Sequence, residues 1–120
     1  MTRVTFFGHK GLLTGFVIEG HTTARGTGQS RIVCAGISSA AYMAANTLAE
    51  ILKLSCDTEV KDGFMAVRIP GDAAPAQPIL AGLRLHLEGI QAQHPRFITI
   101  FKSIQEGHPD VKNQSSTFCP

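Results

Sequence analysis

Twice along this 120-residue chain, two short segments of alternating apolar and polar residues are followed by a stretch whose apolar residues recur every three or four positions. That switch of period limits the fold more than any other feature. Alternation buries one face of a strand, and the longer step buries one stripe of a helix. Residues 3–7 set Val4 and Phe6 against Arg3 and Thr5. Residues 12–19 bring Leu12, Phe16 and Ile18 into one register, with Gly8-His9-Lys10-Gly11 as the turn between the two strands. Residues 32–53 then place Val33, Ile37, Ala41, Ala44, Leu48 and Ile51 on a single helical face, with Ser30 as the expected N-cap.

A second hairpin is predicted over residues 58–61 and 64–69, with Asp62-Gly63 supplying its left-handed turn and Pro70-Gly71 ending it. Pro75 and Pro78 suit the first turn of a helix. That helix carries Ile79, Leu80, Leu83, Leu87 and Ile90 on one side, with Gly82 and Gly89 sharing another face. Pro95 stops it, and residues 97–102 read as a last strand. The order ββαββαβ predicts an α+β fold, a two-layer sandwich in which two helices pack on one mixed β-sheet. Residues 1–105 form the expected domain, and residues 106–120 a polar tail expected to be disordered.

Composition closes off several function classes. A chain that is 43% hydrophobic and only 17% charged is not of the disordered kind. A net charge of +2 without a basic stripe speaks against a dedicated nucleic-acid binder. Cys34, Cys56 and Cys119 are odd in number and form no CxxC pair, which argues against a disulfide framework or a structural zinc site. Residues 1–5 lack the apolar block of a signal peptide, and the weakly polar stretch 32–45 reads as too short to span a bilayer. A cytoplasmic protein with free thiols and no membrane partner is expected.

The chemistry concentrates between Gly20 and Ser38. A strand ends at Glu19, His21 opens a glycine-rich loop over residues 20–31, and Cys34 is expected in the first turn of the long helix. Free amides and the dipole at a helix start favour an anion. An ordinary thiol is only roughly 3% thiolate at pH 7, and a helix start or an imidazolium raises that fraction. A His on the facing strand end would complete a thiolate–imidazolium pair. The plainer alternative is a small buried thiol within Ile32-Val33-Cys34-Ala35 and a solvated turn histidine. Spacing alone leaves both open.

Gly20-His21, a glycine-rich loop and then Ile32-Val33-Cys34-Ala35-Gly36-Ile37-Ser38 together resemble the signature of the ribosomal-processing cysteine proteases, the Prp family. The similarity covers roughly residues 3–102. It implies Cys34 as nucleophile, His21 as general base, and a loop carrying Arg25, Gly26, Gly28 and Arg31 that admits the substrate and orders around it. Gly20 precedes the base, and Ser38 lies one turn beyond Cys34 on its face as a supporting residue. The amides of Cys34 and Ala35 are expected to contribute to an oxyanion site.

The resemblance further implies a cytoplasmic endopeptidase that removes a short N-terminal extension, ending in paired phenylalanines and an alanine, from large-subunit ribosomal protein twenty-seven. A homodimer without metal or cofactor is implied as well. Two positions depart from the family pattern. Arg31 stands where the family has an acidic residue, and the loop between His21 and Cys34 is one residue longer.

Other readings draw on the same residues. Arg25 and Arg31 near a helix start could hold an anion, although Ser30-Arg31-Ile32 lacks the Gly-Lys-Ser/Thr of a phosphate-binding loop. A catalytically impaired member of the same fold could serve as a ribosome-assembly interaction module. His86 and His94 are read as surface residues, Cys56 as a packed thiol, and Tyr42 as core rather than part of a site wall.

Overall fold

A computed structural model describes residues 1–20 and 28–104 of the chain. His21, Arg25 and Gly26, and the expected tail over 106–120, lie outside the described residues. The element order is β1 (Thr2–His9), β2 (Leu12–Glu19), α1 (Gly28–Asn46), a π-helical turn (Thr47–Ile51), β3 (Asp57–Lys61), β4 (Phe64–Arg68), a 3-10 turn (Ala74–Ala76), α2 (Gln77–Gln93) and β5 (Ile98–Ile104). The sheet runs β3-β4-β2-β1-β5, with β5 parallel to β1 and every other pair antiparallel. This is the mixed sheet with two helices that the change of period predicts.

One apolar core holds the sheet and the helix layer together. Val4, Phe6, Leu13, Phe16, Met65, Val67 and Ile98 from the strands meet Val33, Ile37, Ala41, Ala44 and Leu48 of α1 and Leu80, Leu83 and Leu87 of α2. Burying the larger of these side chains contributes about 1.5–3 kcal/mol each. β3 lies at the edge of the sheet, and all five of its residues are exposed.

The hairpin between β1 and β2 turns at Lys10 and Gly11, whose φ values of 52° and 81° are the left-handed pair of a tight hairpin turn. Its register shifts after Phe7, which pairs with Gly15 while Gly8 pairs with Leu13. The extra residue, Thr14, is a β-bulge. It moves Leu13 rather than Leu12 into the core and so corrects the alternation read from the sequence. Gln77 at the start of α2 clasps this bulge: Leu13 N donates to its Oε1 at 2.9 Å, and its Nε2 donates to the Leu13 carbonyl at 2.8 Å.

α1 begins earlier than its apolar period indicates. Gly28 and Gln29 supply the first turn, and Ser30, expected as the N-cap, is a buried helical residue. At the far end, Thr47 Oγ1 donates to the Met43 carbonyl at 2.8 Å, and Leu52 N reaches back five residues to the Thr47 carbonyl. The combined helix Gly28–Ile51 is long and apolar enough to cross a membrane by length and composition, longer than the stretch taken from the sequence. Its buried residues pack on the sheet as a core helix does.

Candidate active site

The face of α1 at steps of four residues carries Cys34, Ser38 and Tyr42, about 12 Å from end to end at 1.5 Å per residue. Opposite it stand Ile18 of β2 and Gly20 just beyond its end, and the β3–β4 hairpin contributes Val60, Lys61, Asp62, Gly63, Phe64 and Met65. These residues, with Thr2, Ile37 and Ala41, line one cavity of about 390 Å3. Of the residues expected at the site, the fold gathers Cys34, Ser38 and Gly20 around this space. Cys34 is partly buried, and Ser38 is exposed.

Gly20 is fixed by geometry. Its φ is 97°, and a Cβ there would stand 2.5 Å from the Met1 carbonyl oxygen. Its amide donates to the Gly63 carbonyl at 3.0 Å. The strand end that leads into His21 is therefore tied both to the start of β1 and to the β3–β4 turn. Gly63 has φ 73°, the left-handed conformation expected of the Asp62-Gly63 turn. Lys61 is held at that turn by Glu59 Oε2 at 3.2 Å and lies 5.2 Å from the centre of the Phe64 ring.

The remaining site expectations divide. Gly28 and Arg31 lie in the first turn of α1, both exposed, rather than in a loop. Because the helix starts at Gly28, Cys34 is not in its first turn. Amides inside a helix bond to carbonyls four residues back. The Cys34 and Ala35 amides are thus committed to the Ser30 and Arg31 carbonyls, which corrects their assignment to an oxyanion site. The dipole field of the helix end fades within that first turn as well. No apolar period marks this first turn, because neither Gly28 nor Gln29 carries an apolar side chain.

Tyr42, read as core, is 47% exposed and stands in the cavity wall. Cys56 packs against the core edge, as expected of a structural thiol, and its pKa is raised by burial and then by the nearby Asp57 carboxylate. His94 is partly buried, with Nδ1 3.1 Å from Gln29 Nε2, a contact joining the two helices. Among the described residues, no three His, Cys, Asp or Glu side chains are grouped to hold a metal.

Comparison with known proteins shows a family and a shared fold. The family model described as Cysteine protease Prp matches residues 1–99. Among solved structures, the essential ribosomal processing protease Prp from S. aureus in complex with a substrate peptide aligns with TM-score 0.77 at 23% identity, covering 86% of this chain and 100% of that one. The same S. aureus protease with a covalently linked product peptide gives 0.75 at 23%, with the same coverage. SMU.848 from Streptococcus mutans gives 0.73 at 22%, covering 88% and 96%. At these identities the solved structures establish the shared fold. No curated protein matches the chain.

Proposed function

The chain belongs to the Prp family of cysteine proteases, and on that premise we propose that it removes the N-terminal extension of large-subunit ribosomal protein twenty-seven, with Cys34 as nucleophile and His21 as general base. The observation that carries the reading is the position of Cys34 on the wall of the cavity whose facing wall ends at Gly20, the residue before His21. The S. aureus relative was solved with a substrate peptide and with a covalently linked product peptide, which supports a peptide substrate and a covalent step.

The reaction follows from the two side chains. His21 takes the proton from the Cys34 thiol, and the sulfur attacks the scissile carbonyl carbon, sending the π electrons onto oxygen. Collapse of that intermediate breaks the C–N bond, and the imidazolium gives its proton to the departing amine. The acyl group remains on Cys34 as a thioester. His21 then deprotonates a water that releases the extension as a free acid. Arg31, in place of the family's acid, cannot orient the imidazole as a carboxylate would.

The reading includes a homodimer acting in the cytoplasm. On α2, Gly82, Leu85 and Gly89 share one exposed face, Leu85 at 71%, and a Cβ at either glycine would meet nothing within 4 Å. Such a face admits close approach of a second helix. Leu85→Glu then shifts the protein to the monomer in sedimentation.

The test is to mix the protein with the extended ribosomal protein and read the new N-terminus by intact mass. Loss of a defined extension by the parent protein and by Cys119→Ala, abolished by Cys34→Ala and by His21→Ala, supports the reading. An intact substrate that nonetheless binds the protein favours the interaction-module reading, with Arg31 as the first residue to revert to an acid.

A further inference from the structure

Thr2 is 2% exposed, and its Oγ1 is a buried hydroxyl with no hydrogen-bond partner among the described residues. Buried hydroxyls are nearly always paired, and an exception in a site points to a group that arrives later. Thr2 lies on the helix-facing side of β1, in step with the core residues Val4 and Phe6, and it lines the cavity that Cys34 lines. Gly20 makes this possible, since any side chain there would strike the Met1 carbonyl and push the start of β1 away.

We propose that the Thr2 hydroxyl is the side-chain donor to the oxygen of the scissile carbonyl as it becomes an oxyanion. This rests on the protease reading above. Attack by sulfur places a negative charge on that oxygen, which needs donors fixed in advance. The amides of Cys34 and Ala35 are spent within α1. The other side-chain donors lining the cavity, on Ser38, Tyr42 and Lys61, belong to exposed residues, whereas Thr2 is buried and already stripped of water. A desolvated, immobile donor stabilises a developing charge more than a solvated one does. The hydroxyl hydrogen stays on Oγ1 throughout, so no proton is transferred through Thr2. In the chain without peptide the hydroxyl is closed to water. Its neighbours must therefore shift as peptide enters, which makes the donor part of an induced fit.

The test separates reactions that form an oxyanion from one that does not. Thr2→Val keeps the shape and removes the donor, and Thr2→Ser restores it. With a peptide spanning the extension junction, Thr2→Val is expected to lower kcat on the order of 100-fold, and Thr2→Ser to stay within a few-fold of the parent. Alkylation of Cys34 by iodoacetamide, which creates no oxyanion, is expected to be unchanged in both, and the melting temperature of Thr2→Val not to fall. Cleavage by Thr2→Val at the parental rate overturns the proposal. So does a parallel loss of alkylation, which would mean a displaced thiol. Failure of the parent protein itself to cleave the peptide overturns the protease reading on which the proposal rests.

Discussion

The Gly20 amide and the Gly63 carbonyl are joined by a hydrogen bond of 3.0 Å, so the strand end that precedes the proposed base and the hairpin turn that walls the cavity move as one piece. Gly20 holds this position with φ 97° and no room for a Cβ against Met1. Gly20→Ala is therefore expected to lose about 2 kcal/mol or more of stability, lowering Tm by roughly 8–16 °C in a domain of this size. Cleavage should fall with it. A melt at the parental temperature would show that the strand end tolerates a side chain.

Tyr42 belongs to the wall of the cavity and not to the core. Tyr42→Ala should leave the melting temperature within about 2 °C, as exposed substitutions do. It should raise KM for the extension peptide by about 3- to 10-fold with kcat nearly unchanged, the pattern of lost uniform binding. Equal KM values for the two proteins would remove Tyr42 from the peptide path.

Gln77 makes the opposite prediction, for stability without activity. Its side chain donates to the Leu13 and Ala73 carbonyls, both at 2.8 Å, and accepts from Leu13 N at 2.9 Å. Gln77→Ala leaves the bulged β2 backbone short of partners, at a cost of about 1–3 kcal/mol. Urea unfolding should register that loss while kcat/KM, measured where the variant is folded, stays at the parental value.

How far the fold is legible from the sequence can be followed at these same residues. The period of Val33, Ile37, Ala41, Ala44 and Leu48 placed α1 correctly in the core, because burial on one stripe is a property of spacing alone. The alternation in β2 misplaced Leu12, because the bulge at Thr14 exchanges the faces and nothing in the local sequence marks it. The start of α1 is hidden for a similar reason: its first turn is polar and glycine-led, which is what a loop looks like. That one turn changes the chemistry, since it moves Cys34 away from the free amides. Cys34, Gly20 and Ser38 are legible through a motif and Tyr42 shares the Cys34 face by helical spacing, whereas Thr2 reaches the cavity only through tertiary packing.

Cys56 gives the chain a pH-dependent component of stability. Burial, and next the Asp57 carboxylate, raise its pKa in the folded state. Below the unfolded thiol's pKa both states hold the proton, and the contribution is fully present. As pH rises past about 8.5 the unfolded thiol ionises first, and stability is lost up through the raised folded value. Urea midpoints should decline as pH rises above about 8.5, and Cys56→Ala should decline less. Equal declines would assign the effect elsewhere. At pH 7.5 Cys56 should also alkylate more slowly than free cysteine, a difference that peptide mapping resolves.

The most direct measurement is the mass of the enzyme itself during turnover. Rapid mixing with the extension-junction peptide, an acid quench and intact-mass analysis should show an adduct equal to the extension less one water. Peptide mapping should place it on Cys34. The adduct should be absent from Cys34→Ala. Hydrolysis that proceeds at the parental rate in Cys34→Ala, or an adduct mapped to Cys56 or Cys119, would contradict the assignment of Cys34 as the nucleophile.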